Sequence, residues 1–146
     1  MQEVYAKHSV RFRYPEDWEL GEEEHGEDLV ITVSSPETSF WSLSLFLDRP
    51  TPQRVMETAI GAFREEYEEM DVYSPEVSVC MRDTVARDVE FVCLELINGA
   101  FLRAFQTQEF TALVLYQGTD SELSDTRRIL EAITASLQCD EEESAR

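Results

Sequence analysis

Residues 111–117, Thr-Ala-Leu-Val-Leu-Tyr-Gln, are apolar at every position between their polar ends. Successive residues of a strand point to opposite faces. Ala112, Val114 and Tyr116 therefore share one face, and Leu113 and Leu115 share the other. A strand apolar on both faces must be covered on both sides. That requirement constrains the chain more than any other feature: it calls for a sheet inside a layered fold.

The sequence offers two helices to serve as cover. Thr51 is placed to cap the first, and Pro52 suits its first position. Met56, Ile60, Phe63, Tyr67 and Met70 then recur at helical spacing, while Arg64, Glu65, Glu68 and Glu69 take the opposite side. The second helix opens at Thr119-Asp120-Ser121-Glu122, the pattern of a capping box. Its stripe is Leu123, Thr126, Leu130, Ile133 and Leu137.

Further strands are predicted over 10–14, 28–34, 40–47, 77–81, 88–97 and up to about 108. In 10–14, apolar residues alternate with Arg11 and Arg13, so one face is buried. Pro15 ends that strand and opens a turn through Trp18. Trp41, Leu43, Leu45 and Leu47 share one face, opposite Phe40, Ser42, Ser44 and Phe46. Covered on both sides, Phe40 and Trp41 read as core. Asn98-Gly99 is the clearest hairpin signal, since a type I′ turn needs two residues at positive φ. A turn there sets Leu96 opposite Phe101, Leu94 opposite Arg103 and Val92 opposite Phe105. The expected fold is α+β: an α/β/α sandwich with a mostly antiparallel central sheet of about six to eight strands and two main helices. Residues 1–139 form one domain, and 140–146 a charged, frayed tail.

The 146 residues carry a net charge of −19, from 31 acidic and 12 basic side chains, and Lys7 is the only lysine. Such a surface repels phosphate backbones and anionic membranes, which excludes nucleic acid as a partner and leaves basic proteins and cations. Eight of the thirteen residues from Glu16 to Asp28 are acidic, a solvated hairpin or loop. Residues 1–14 have no apolar signal core, and no run is long enough to span a bilayer. Cys80, Cys93 and Cys139 have neither CxxC nor zinc spacing. They fit buried or free thiols in a reducing compartment, and a cytoplasmic location is expected.

Chemistry is hard to find. His8 and His25 lack a second His or Cys at ligand spacing. His25 stands among Glu22, Glu23, Glu24, Glu27 and Asp28, where carboxylates and one imidazole offer a divalent ion some ligands, without the spacing of an EF-hand loop. There is no nucleophile elbow and no glycine-rich phosphate loop. Cys93, mid-strand between Val92 and Leu94, reads as a packed thiol.

Several motifs together resemble the PsbP-like superfamily. They are Phe12-Arg13-Tyr14-Pro15-Glu16-Asp17-Trp18, the helix after the second block of strands, residues 85–91, the Asn98-Gly99 pair, and a closing helix that ends Ile133-Thr134-Ala135-Ser136-Leu137. That superfamily includes the extrinsic photosystem II subunit, the eukaryotic Ran-GTPase release factor and adaptor chaperones of type VI secretion effectors. The resemblance covers residues 10–137. It implies that the Trp18 indole anchors a turn on the core, and that the chain is a non-enzymatic protein-binding or adaptor module; from the residues themselves no cofactor or metal is expected. A fold alone does not fix function. The alternative is a small-ligand or divalent-metal domain built on the acidic stretch. Glu22, Glu23, Glu24 and Asp28 are the candidate partner-binding residues, for another protein with a basic surface. The adaptor reading expects an exposed apolar groove or patch beside the sheet; the ligand reading expects a closed pocket with convergent polar groups.

Overall fold

A computed structural model describes residues 2–139. Ten strands and two helices follow one another: β1 (Gln2–Lys7), β2 (Val10–Pro15), β3 (Glu19–His25), β4 (Asp28–Ser34), β5 (Phe40–Phe46), α1 (Pro52–Glu66), β6 (Met70–Tyr73), β7 (Val85–Cys93), β8 (Leu96–Gln106), β9 (Thr111–Thr119), α2 (Asp120–Ala135) and β10 (Gln138–Cys139). The expected tail, 140–146, lies outside the described residues.

Seven strands form one fully antiparallel sheet in the order β3-β4-β5-β9-β8-β7-β6. The expectation of an α+β sandwich on a central antiparallel sheet holds. β9 is two-faced as its sequence requires. Ala112 and Val114 lie in the larger core, while Leu113 and Leu115 pack on the smaller one. α1 covers the smaller core, laying Val55 and Met56 on Val89, Phe91, Ala100 and Leu102. The larger core lies under α2 together with a second sheet, β1-β2-β10, which brings Tyr5, Val10 and Phe12 onto Ile31, Val33, Trp41 and Leu43. The layer on that side is thus part helix and part sheet. β1 and β10 were not legible beforehand: β1 buries only Tyr5, and β10 is two residues long.

The Pro15–Trp18 turn forms as expected, with Trp18 N–H donating to the Pro15 carbonyl at 3.1 Å and the indole buried in the larger core. Thr51 caps α1 by accepting from Arg54 N–H. The helix stops at Glu66, however. Tyr67 is its cap, and Met70 starts β6, although both continue the apolar stripe onto the same cluster. Residues 77–81 are not a strand; only a bridge pairs Val79 with Arg82.

The Asn98-Gly99 hairpin does not form. The turn falls on Leu94-Glu95, with φ of 53° and 68°, and Cys93 pairs with Leu96. Asn98 and Gly99 lie inside β8, opposite Phe91 and Glu90. Leu96 and Phe101 are therefore not partners; Phe101 faces Asp88, and Arg103 faces Ala86. Two interactions override the local signal. Arg103, almost fully buried, donates to Asp88 Oδ1 at 2.8 Å. A turn at 98–99 would put Arg103 opposite Leu94 and leave a buried charge without its carboxylate, a cost of several kcal/mol, roughly 3–5. Gly99 is needed elsewhere too. It pairs with Gly118, and α2 descends on both: a Cβ on Gly99 would stand 3.0 Å from Leu123 Cδ1, and one on Gly118 2.5 Å from Ser39 Oγ.

Thr119 accepts from Glu122 N–H as in a capping box, but the Glu122 carboxylate turns away. It takes hydrogen bonds from Ser39 N–H at 2.9 Å, Ser39 Oγ at 2.7 Å and the Thr38 backbone at 3.3 Å, and one from the Thr38 hydroxyl. The carboxylate thereby ties the β4–β5 connection to the start of α2. Burial pushes its pKa up, and the bonds from Thr38 and Ser39 outweigh that, so it lies below the ordinary value of 4.5. A depressed carboxylate stabilises the fold above the unfolded pKa, and that contribution is lost as pH falls through the folded one. Glu122→Gln is therefore expected to cost about 1–2 kcal/mol at pH 7. The gap to wild type in urea unfolding should shrink steadily below pH 4.5. A gap independent of pH would show that the charge does not hold the connection.

Candidate functional site

The described residues expose nine large apolar side chains, and four of them stand together at the end of the β7–β8 hairpin. Leu94 is 89% exposed, Leu96 56%, Ile97 50%, and Val92 lies beside them. Val92 pairs with Ile97 on one face and Cys93 with Leu96 on the other, so apolar groups occupy both faces and the crest. The hairpin is firmly held up to that point. Val92 N–H donates to the Glu69 carbonyl at 3.1 Å, and Phe91 packs between Phe63 and Tyr67. Glu68, Glu69, Glu90 and Glu95 surround the tip with exposed carboxylates. Exposed apolar patches of this kind, rimmed by polar residues, mark interaction sites. The sequence reading missed this site because it placed Leu94 and Leu96 in a paired strand.

The acidic stretch is a hairpin rather than an open loop. β3 pairs with β4 along its whole length and forms one edge of the large sheet. Glu22 points back onto the second sheet, accepting from Tyr5 Oη at 2.6 Å, with Lys7 Nζ at 3.9 Å. Burial, then the bond to Glu22, pushes the Tyr5 phenol well above its ordinary pKa. Glu23 lies on the other face, 3.5 Å from His25, and Glu24 is exposed; Asp28 starts β4 across a turn that Gly26 allows with φ of 65°. The four predicted residues are thus neighbours in a hairpin but do not converge on one point. Among the described residues, no group of three His, Cys, Asp or Glu side chains gathers as metal ligands would.

A third feature is an open groove of about 1140 Å³ between the second half of α2 and residues 77–82. Arg103, Tyr116, Glu131 and Thr134 line it, with Cys80 and Cys139 at one end. Its charged floor is already engaged. The Arg103 Nη1 atom is shared by Asp88 and the carbonyls of Arg87 and Leu102, and Tyr116 stacks on Phe101 with ring centres 5.0 Å apart. Burial raises the Tyr116 pKa, so the phenol stays protonated at neutral pH. The groove is a wide surface channel, unlike the closed pocket a small-ligand domain calls for.

No family model matches the chain, and no curated protein matches it in sequence. Solved structures do. The solution structure of cyanobacterial PsbP (CyanoP) from Synechocystis sp. PCC 6803 superposes with a TM-score of 0.57 over 94% of this chain and 92% of that one, at 10% identity. The fold is PsbP-like. A Pseudomonas aeruginosa protein of unknown function, PA94, described as a putative regulator, gives 0.57 over 92% and 94% at 10% identity. LpqN of Mycobacterium tuberculosis, described as involved in cell envelope biogenesis, gives 0.53 over 94% and 90%, also at 10%. At such identity the likeness establishes the PsbP-like fold alone. No described helix is long and apolar enough to cross a membrane.

The turn residues at the tip are not the ones a hairpin of this geometry favours. Left-handed Leu94 and Glu95 occupy positions where a type I′ turn favours Asn-Gly. Replacing them together, Leu94→Asn with Glu95→Gly, is expected to raise unfolding free energy by about 0.5–1 kcal/mol. A loss of stability in the double variant would instead make Leu94 a structural residue.

Proposed function

We propose that this PsbP-like chain is a non-enzymatic protein-binding module of the adaptor kind, and that it meets its partner with the end of the β7–β8 hairpin. The observation that carries the reading is the cluster of Val92, Leu94, Leu96 and Ile97, exposed on a rigidly held turn. Water around four such side chains favours their transfer into an apolar recess, each worth about 1.5–3 kcal/mol when fully buried. The ring of carboxylates around them suits a recess with basic rims. A cytoplasmic setting, drawn from the cysteines, belongs to the same proposal.

The acidic residues Glu22, Glu23, Glu24 and Asp28 enter this reading differently. In the strand order β3 and β8 are four neighbours apart, or roughly 19 Å at about 4.8 Å per strand. The β3–β4 turn also lies at the opposite end of the strands from the tip, so a partner seated on the tip does not touch it. We assign these carboxylates to steering a basic partner, which changes the association rate more than the bound state.

The test is a photo-crosslinker placed at position 94 or 96 in the full chain, with position 65 on the exposed side of α1 as control. One discrete partner adduct from 94 and 96, absent at 65, is expected, and the adduct from 96 should be lost on Leu94→Asp with Ile97→Asp. Once that partner is purified, neutralising the four carboxylates should slow its association several-fold and flatten the salt dependence, while dissociation stays unchanged. Adducts equal at all three positions, or binding that survives both aspartates, would sink the tip as the contact.

A further inference from the structure

Cys80 and Cys139 are 59 positions apart in sequence, yet their sulfurs stand 3.9 Å apart. Cys80 lies in the two-residue turn closed by the Val79–Arg82 bridge, on the long connection between β6 and β7. Cys139 ends β10, opposite Val10 of β2. The Cys80 thiol also donates to the Leu137 carbonyl at 3.3 Å, and Val79 beside it is buried in the larger core. The connection and the last strand are therefore held against each other at the thiols. Cys139 is buried, whereas Cys80 is partly open to the groove. Bonded sulfurs are about 2.05 Å apart, so roughly 2 Å of travel separates the pair from a bond. Each sulfur swings on one Cα–Cβ rotation.

We infer that Cys80 and Cys139 form a redox site, closing to an intrachain disulfide when the protein meets a small-molecule disulfide. Cys80, the more accessible, attacks one sulfur of the oxidant as a thiolate. The oxidant's own S–S bond breaks, and its first half leaves as a thiolate that takes up the proton Cys80 gave. The mixed disulfide on Cys80 is then attacked by the Cys139 thiolate. The Cys80–Cys139 bond forms, and the second half of the oxidant leaves and takes the second proton. Two electrons pass from the two protein thiols to the oxidant, which ends as two small thiols. A chain in a reducing compartment would close this bond transiently, as cytosolic disulfides in sensors do. The new bond joins the β6–β7 connection to β10 across β7, β8, β9 and α2, a long ring whose closure strongly restricts the unfolded chain. It also fixes one end of the groove. Cys93 has no part in it, since it lies on the opposite face of the large sheet with the smaller core.

The experiment incubates the reduced full-length chain with oxidised glutathione in buffers of graded potential. Intact mass should fall by two hydrogens with no adduct, and digestion without reductant should link the peptides of Cys80 and Cys139. The melting temperature should rise by roughly 10 °C and return on adding dithiothreitol. Cys93→Ser should behave as wild type. Cys139→Ser should trap glutathione on Cys80, and Cys80→Ser should abolish both the link and the shift. Mass mapping of the wild type needs no variant, so a poorly folding one does not blunt the test. Glutathione that stays on Cys80 in the wild type, a bridge that includes Cys93, or thiols unchanged at the most oxidising potential would each overturn the proposal.

Discussion

β8 and β9 bury side chains on both faces, and no single helix is wide enough to cover a seven-stranded sheet. A helix with its side chains is about 10 Å across, or roughly two strand spacings. α1 accordingly covers the part of one face built from β7, β8 and β9. Beyond α1 on that face, β4 and β5 carry the short hydroxyls Thr32, Ser34, Ser42 and Ser44, of which Ser42 is buried and donates to the Leu115 carbonyl at 3.2 Å. The other face is closed by α2 and by a second sheet, which fills the width α2 leaves. Trp41 marks the seam between these two. Its ring meets Phe12 of β2 at 4.7 Å, and its indole N–H donates to Thr134 of α2 at 2.9 Å. Covering a two-faced sheet thus decides the layers, and the layers decide which corners stay open.

The same constraint explains what could be read from the sequence. Alternation located β2, β4, β5 and β9, because each buries a regular set of side chains along one face at least. Helix caps located α1 and α2, because Thr51 and Thr119 act within three residues of themselves. Two misreadings were tertiary. Asn98-Gly99 is a strong local turn signal, but Gly99 is required beneath Leu123 and Arg103 is required beside Asp88. Glu122 resembled the second half of a capping box, but its carboxylate satisfies a loop 83 positions away. β1 and β10 matter through their partner β2 and have little apolar pattern of their own. The candidate site fared worse than the fold, since the acidic stretch was visible as composition, whereas the tip became visible only once the turn was placed.

Three of the tight turns carry two non-glycine residues at positive φ: His8-Ser9, Cys80-Met81 and Leu94-Glu95. Such conformations cost energy for side chains with a Cβ and persist where the surroundings impose them. Each surrounding is identifiable here. β1–β2 pairing runs without a break into the first turn, the Val79–Arg82 bridge closes the second, and the β7–β8 ladder fixes the third. One of the three also presents an exposed apolar crest, and another sets a thiol beside a second thiol.

The edges of the large sheet sharpen the case for the apolar tip. An exposed strand edge invites pairing with other chains, and proteins blunt it with charge or brevity. β3 does so with Glu19, Glu22, Glu23 and Glu24, and β6 with only four residues preceded by Glu68 and Glu69. A surface with a net charge of −19 and two guarded edges is built against unspecific association. On that surface Leu94, Leu96 and Ile97 are three of the nine exposed large apolar side chains among the described residues, and with Val92 they stand at one hairpin end. A polar residue at position 94 would satisfy the turn equally well and remove a large, 89% exposed apolar group from water. Solubility and fold stability both favour that exchange, and the contact proposed for the tip is the reading that accounts for the residues present.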